Sequence, residues 1–294
     1  MDLKDIKKDK NDVWVRLTPE TAKELLGFED EVKEEDGSLW ARIDDKQKHY
    51  IGVKLVEEFV SKGISGLDEV LAILSKREMK EVILHALENN RYNGEFIKSF
   101  MDRLELFKEY VPDIKARMRK IFNDFSTNLY LNPEEVLKMA EVLGVDKQEI
   151  EKCFENRVLY WFSYDELDHQ AEEISREVLC FGRVCPERAR LIVKEHVDNV
   201  LWDLGDDEIV MNIKRARGEF FTDFVRSIII VERLRDFVSQ REIEMIQKLL
   251  LSRIELVRKI VKNRINLSYH QSYLKAIISL LPEEKKSEFI PYII

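Results

Sequence analysis

The sequence predicts a mainly α fold, a multi-helix bundle with a small N-terminal α+β unit. From about residue 67 onward, apolar residues recur every three or four positions, which is the spacing of amphipathic helices. The six prolines and ten glycines lie mostly between these periodic segments, where helices of a bundle end. Hydrophobic residues make up 45% of the 294 positions, which is enough apolar material for a packed core.

The N-terminal unit is predicted to span residues 1–66. Residues 1–11 alternate charges without apolar periodicity and predict a frayed terminus. Alternation of apolar and polar residues predicts strands, whereas Thr followed by Pro is typical of a helix start. The elements predicted are a strand at Asp12–Leu17, a helix from Thr18 to Gly27, a loop at Glu29–Gly37, a strand at Ser38–Ile43 and a helix at Val53–Lys62.

The remainder is predicted to form two helical units, 67–163 and 164–294. The stretch Phe220–Val238 is apolar on more than one face, which predicts a helix that is buried centrally or paired with a partner. The predicted helices are 78–89, 95–111, 113–130, 134–143, 147–162, 165–181, 187–203, 208–238, 241–264 and 270–281.

Charge and cysteine content predict a cytoplasmic protein of a prokaryotic cell. The first ten residues, MDLKDIKKDK, lack the apolar segment of a signal peptide, and no apolar run approaches the roughly 20 residues of a membrane span. Three cysteines are typical of a reduced compartment. Charged residues reach 36%, a surface typical of thermophilic ion-pair networks. The net charge of -9 argues against a surface that coats nucleic acid or anionic membrane as a whole.

One segment has the pattern of a helix-turn-helix. Val136–Glu155 reads VLKMAEVLGVDKQEIEKCFE, with the small Ala140 where two helices would touch and Gly144 where the chain would turn. The second helix would enter the major groove, and Lys147 and Lys152 would meet phosphates. Two interpretations stay open, a DNA-binding regulator and a structural helical corner. The acids that favour the structural corner are Asp146, Glu149, Glu151 and Glu155.

Enzyme motifs are incomplete. Glu166 and His169 have the three-residue spacing of di-iron bundles, but such sites need two pairs of this kind. Glu81 and His85 are four residues apart and do not supply the second pair. Nucleotide-binding loops and hydrolase motifs are absent from the sequence. We therefore expect no cofactor, no metal and no catalytic residue, with a metal-dependent helical enzyme around Glu166, His169 and His196 as an alternative.

Residues 220–294 resemble the helical domain of GINS-family replisome subunits. The segments that carry the resemblance are FTDFVRSIIIVERLRDF, IQKLLLSRIELVRKIVKNRI and LLPEEKKSEFI. In that family a helix that ends in Arg, Lys and Ile is followed by a helix that begins Leu-x-Pro-Glu-Glu. The small α+β unit would correspond to the small β domain of the family, whereas residues 67–205 have no counterpart. The resemblance implies a non-catalytic bridging subunit of a DNA-replication assembly.

These observations predict a non-catalytic interaction or scaffold protein of a nucleic-acid-associated complex. The predicted partner is another protein, with nucleic acid or a second copy of the chain as alternatives and no membrane. Residues 251–294 carry a net charge of +4 and the first 250 residues carry -13, so charge attraction marks the basic tail as a contact surface. The residues predicted to make that contact are Arg253, Arg258, Lys259, Lys262 and Arg264.

Overall fold

The fold is mainly α, as predicted, with a small antiparallel sheet near the N-terminus. The structure, a computed structural model, describes residues 6–9, 12–16, 31–63, 74–124, 129–163, 167–215, 218–262, 270–289 and 291. The chain divides into two compact units, Met1–Gly144 and Val145–Ile294, where the sequence predicted three. Within the described ranges, no helix combines the length and apolar character needed to cross a membrane.

The sheet of the first unit has the strand order β1-β2-β4-β3. Two of its strands correct the sequence analysis, because β1 lies in the predicted frayed terminus and β3 in the predicted loop. Both are charged segments whose strand conformation depends on backbone pairing with β2 and β4, which local periodicity does not reveal. The helix predicted between Thr18 and Gly27 lies outside the described residues. The strands are β1 Ile6–Asp9, β2 Asp12–Arg16, β3 Glu31–Glu35 and β4 Ser38–Ile43.

Five α-helices complete the described part of the first unit. Helix α1 begins eight residues before the predicted start, because the Asp44 side chain accepts a hydrogen bond from Gln47 N and forms a capping box with it. The predicted helix 95–111 is broken at Arg103 and continues as the 3-10 helix Leu104–Tyr110. The α-helices are α1 Asp45–Lys62, α2 Lys76–Asn89, α3 Gly94–Asp102, α4 Val111–Asn123 and α5 Pro133–Leu143.

The second unit is built around the helix α10, Gly218–Arg233. Four consecutive residues, Ile228 to Val231, are buried, so the helix lies centrally in its own unit. It packs against α7, α8, α9 and α13. These and the remaining helices of the unit are α6 Lys147–Trp161, α7 Leu167–Phe181, α8 Pro186–Gly205, α9 Asp207–Arg215, α11 Gln240–Ser252, α12 Ile254–Lys262, α13 His270–Leu280 and α14 Glu283–Phe289.

Two long helices predicted for the second unit are shorter in the structure. The predicted helix 208–238 is represented by α9 and α10, with residues 216–217 outside the described ranges. The predicted helix 241–264 is interrupted at Arg253, whose φ is -109° and whose Nε donates to the Leu204 carbonyl oxygen at 3.2 Å. Near the C-terminus, Phe289 at the end of α14 is buried in the unit.

Candidate nucleic-acid interface

The turn between α2 and α3 holds two outward-facing side chains, Arg91 and Tyr92. Asn90, at the end of α2, donates its side-chain amide to Ala86 O and to Glu57 Oε1, both at 2.9 Å. Asn93 caps the start of α3, and its side chain accepts a hydrogen bond from Phe96 N at 3.1 Å. These local hydrogen bonds fix both ends of the turn, so Arg91 and Tyr92 project from a rigid support.

Tyr130 reaches the same place from another part of the chain. It is followed by Leu131, which is buried, and by Asn132, which caps α5 through a capping box with Glu135. The Tyr130 ring lies 4.9 Å from the Tyr92 ring, centre to centre, in an edge-to-face arrangement. Tyr130 remains 70% exposed and Tyr92 45% exposed, so this aromatic pair has ring surface open to a partner.

Two arginines accompany the tyrosines. The Arg91 guanidinium lies 4.6 Å from the centre of the Tyr92 ring, a cation–π contact. Arg91 and Arg117 each bind one oxygen of the Glu88 carboxylate at 2.9 Å. Because two guanidinium groups share one carboxylate, the group keeps a net positive charge. We call Glu88, Arg91, Tyr92, Arg117 and Tyr130 the aromatic–arginine patch.

Helix α4, which supplies Arg117, extends the positive charge. Its only acid is Asp113, which is paired with Lys80 at 2.5 Å. Arg117 and Lys120 are three residues apart and share one side of the helix. The helix dipole stabilises a cation such as Lys120 in the last turn of α4. It does not account for the exposed tyrosines of the patch, which lie on other segments. The cations of α4 are Lys115, Arg117, Arg119 and Lys120.

Sequence reasoning missed this patch. The run KARMRK, residues 115–120, carries four cations within six positions of an acidic chain and was a visible signal. The tyrosines gave no signal, because Tyr92 and Tyr130 are 38 residues apart and only the folded chain brings their rings together.

The basic residues predicted in the second unit are partly engaged with acids. Arg253 pairs with Asp207 at 2.7 Å, and Arg258 pairs with Glu288 at 2.7 Å and also with Glu255. These two carboxylates raise the pKa of Arg258 above its ordinary value. Lys259 is exposed, Lys262 is the last residue of α12, and Arg264 lies outside the described residues. Their role in nucleic-acid contact stays a prediction.

The helix-turn-helix pattern corresponds to α5, a left-handed Gly144 and α6. The division between the two units falls between Gly144 and Val145. Lys147 lies 3.6 Å from Glu151, and Lys152 is exposed on the same helix. The α6 N-terminus is capped by Asp146, which accepts from Glu149 N at 3.0 Å. Carboxylates therefore stand where a DNA-reading helix would present cations to phosphates.

The histidines of the enzyme alternative lie in separate surroundings. His169 contacts the edge of Trp161 at 5.4 Å, and Glu166 lies outside the described residues. His196 is buried, and its Nδ1 lies 3.1 Å from Ser227 Oγ. Burial and, to a smaller extent, the Arg226 charge lower the pKa of His196 to about 4. Across the described ranges, no three His, Cys, Asp or Glu side chains are arranged to hold a metal ion.

The interior of the second unit contains other ionisable groups. Arg157 and Glu177 form a buried ion pair between α6 and α7. Asp203, on α8, is buried, and burial raises its pKa to about 6, with the negative charges of Asp223 and Asp206 adding repulsion. Because the folded protein raises the pKa of Asp203, this carboxyl makes the stability of the fold depend on pH.

Comparison with known proteins gives no relative for this chain: no family model, no curated protein and no solved structure matches it.

Proposed function

We propose that this chain is a non-catalytic interaction protein of a nucleic-acid-associated complex, and that the aromatic–arginine patch binds single-stranded nucleic acid. The observation that supports the proposal is the exposed pair Tyr92 and Tyr130 beside Arg91 and Arg117. Unpaired bases stack on aromatic rings, and guanidinium groups bind the phosphates between them. Double-stranded DNA keeps its bases stacked inside, so these rings suit a single strand.

The local charge is consistent with this ligand. The chain as a whole carries -9, which repels nucleic acid at a distance. On α4, Arg117 and Lys120 share the side of the helix that meets the patch, so a strand that approaches the patch meets these cations. Repulsion by the acidic remainder of the chain favours binding at basic surfaces such as this one. The predicted scaffold role and the resemblance of residues 220–294 to a replisome subunit point in the same direction and stay predictions.

Two alternatives have less support. The helix-turn-helix interpretation requires cations on α6, where Lys147 lies beside Glu151, and Glu149 and Glu155 add further negative charge. The enzyme interpretation requires groups that converge on a substrate, and His196 is instead buried against Ser227.

The test is binding of a fluorescein-labelled oligothymidine, followed by fluorescence anisotropy at several salt concentrations. Replacing Tyr92 and Tyr130 by Ala should weaken binding by at least about fivefold, since stacking contributes about 1–3 kcal/mol per base. Replacing Arg91 and Arg117 by Gln should flatten the dependence of log K on log salt by about 0.7 for each phosphate that the variant no longer binds.

The matched control is Tyr50→Ala. Tyr50 is 48% exposed on α1 in the same unit, and Lys54 lies over its ring at 5.9 Å, but it belongs to no aromatic pair within the described ranges. We expect this variant to bind as the parent does. If the parent protein shows no binding at low salt, the nucleic-acid proposal is wrong. If it binds and the double tyrosine variant binds equally well, the assignment to this patch is wrong.

A further inference from the structure

Two histidines on different helices of the first unit face each other away from the aromatic–arginine patch. His49 is on α1 and His85 on α2, and His49 Nε2 lies 2.8 Å from His85 Nδ1. The ring centres are 5.1 Å apart and the ring planes are inclined by 35°. His85 is exposed and His49 is half-buried, so the pair lies at the surface of the unit.

The backbone that carries these rings is held rigidly. Gly52, one turn after His49, lets α1 approach α2 closely: a Cβ there would lie 3.0 Å from Leu74 Cδ1 and from Val82 Cγ2. The same helices are joined by Lys48 and Glu78 at 2.5 Å. The two histidines therefore stand on a fixed frame, which is the condition for a preorganised ligand pair.

The separation of the nitrogens is that of a hydrogen bond between two imidazoles, in which one ring donates and the other accepts. With metal–nitrogen bonds of about 2.0–2.1 Å, two ligands of one ion lie roughly 2.9–3.3 Å apart. A small turn of the two rings is therefore enough to place both nitrogens at ligand distance from a shared ion. Imidazole nitrogens bind divalent transition metals such as Ni²⁺, Cu²⁺ and Zn²⁺.

Carboxylates stand near the pair. Asp45 precedes His49 by four residues and Glu81 precedes His85 by four, so each shares a helix face with its histidine. Asp45, His49 and Glu81 line one surface cavity of about 530 Å³ together with the cations Lys46 and Arg77. Glu81 pairs with Arg77 at 3.1 Å. Among the described residues, no third His, Cys, Asp or Glu is placed to complete a set of metal ligands, so water would supply the remaining ones.

We infer that His49 and His85 form a binding site for a divalent transition metal such as Ni²⁺, which joins α1 to α2. Each imidazole binds as the neutral form through the nitrogen that now faces the other ring. The proton between the rings moves to the outer nitrogen of the histidine that carries it, and both rings turn so that their lone pairs meet at the ion. The two histidines are the protein ligands, and water molecules occupy the remaining positions around the ion. The site is independent of the proposed nucleic-acid contact.

The experiment is titration of the untagged full chain with NiCl₂ in a calorimeter, with chelators removed. We expect one nickel site per chain. The affinity for nickel should fall about 10- to 100-fold or more in His49→Ala and in His85→Ala. Mutating a residue that only orients a metal ligand costs about this much affinity, and losing the ligand itself costs at least as much. The matched control His169→Ala removes a histidine of the second unit and should leave the site intact.

A second readout is thermal unfolding. Nickel should raise the melting temperature of the parent and of His169→Ala, because the ion binds only when α1 and α2 are together. It should leave the melting temperatures of His49→Ala and His85→Ala unchanged. His49→Gln, which keeps a polar side chain of similar reach, serves if His49→Ala fails to fold. The inference is overturned if the parent binds no nickel, or if both single variants bind it as tightly as the parent.

Discussion

The buried ion pair between Arg157 and Glu177 allows a quantitative test of how the second unit is held together. The side chains are 1% and 0% exposed. Arg157 Nε donates to Glu177 Oε1 at 2.9 Å and to Oε2 at 2.8 Å, and Nη2 donates to Oε1 at 2.6 Å. Trp161 Nε1 also donates to Oε1, at 3.2 Å. The carboxylate therefore accepts four hydrogen bonds inside the unit, and the pair joins α6 to α7.

Removing one partner should be costly, because the other charge is left buried. We expect Arg157→Met and Glu177→Leu each to lower the free energy of unfolding by about 3–5 kcal/mol. A whole domain is stable by only about 5–15 kcal/mol, so either variant loses a large fraction of its stability. The double variant removes both charges and their desolvation cost together. It should therefore be more stable than either single variant.

The assay is urea unfolding of the four proteins of this double-mutant cycle, followed by fluorescence and by far-ultraviolet circular dichroism. Trp161, which contacts Glu177, monitors the site itself. The matched control is Arg188 with Glu155, a pair of the same residue types at 2.9 Å whose side chains are both 39% exposed. Breaking that pair should cost less than about 1 kcal/mol.

Two results would refute the reasoning. Single variants of Arg157 and Glu177 that lose less than about 1 kcal/mol would mean that the buried charges are solvated in the folded protein. A double variant whose loss equals the sum of the single losses would mean that the two side chains do not interact.

Three further predictions concern close packing and pH. In Gly94→Ala, the new Cβ would lie 1.9 Å from Glu135 Oε2, so we expect a loss of about 1–3 kcal/mol in urea unfolding and a smaller loss when Glu135→Ala is already present. The pKa of His196 is lower in the folded state, about 4 against 6.5, so its contribution to stability is present above pH 6.5 and lost as the pH falls toward 4. His196→Gln should remove about 3 kcal/mol of this pH-dependent stability. The prediction is contradicted if the free energy of unfolding of the variant depends on pH as steeply as that of the parent. The pKa of Asp203 is higher in the folded state, about 6 against 3.8, so its contribution is present below pH 3.8 and lost as the pH rises through 6. Asp203→Asn should gain about 1–3 kcal/mol over the parent at pH 7 but not at acid pH, and an equal gain at both values would rule out titration as the cause.

Elements whose signals are local were predicted closely. The strand Ser38–Ile43 was predicted with the bounds that the structure shows. Helices α5 and α6 lie within one residue of the predicted ranges 134–143 and 147–162. Asn132 and Asp146 cap these helices, and Gly144 ends the first of them in the left-handed region. Caps and glycines act on the backbone next to them, so the sequence alone was sufficient.

The candidate sites were much less predictable. Arg157 and Glu177 are charged residues in segments of helical periodicity, where no local pattern shows that the fold buries both. His49 and His85 are 36 residues apart in the sequence, and the fold places their nitrogens 2.8 Å apart. Only the basic run of α4, residues 115–120, was visible in the part of the chain that forms the proposed nucleic-acid contact.

By itself, the sequence determined the helical class and most helix positions, because apolar periodicity and caps act over a few residues. For the segment around Ile228 it left central burial and pairing with a partner open, and the fold shows that the segment is buried in its own unit. Only the tertiary structure decided that β1 and β3 are strands, that Tyr92 meets Tyr130 and that His49 meets His85. These pairings join segments that are separated by loops, and the local sequence of one segment does not identify the segment with which it pairs. The packing of the helices and strands between them sets which side chains come together.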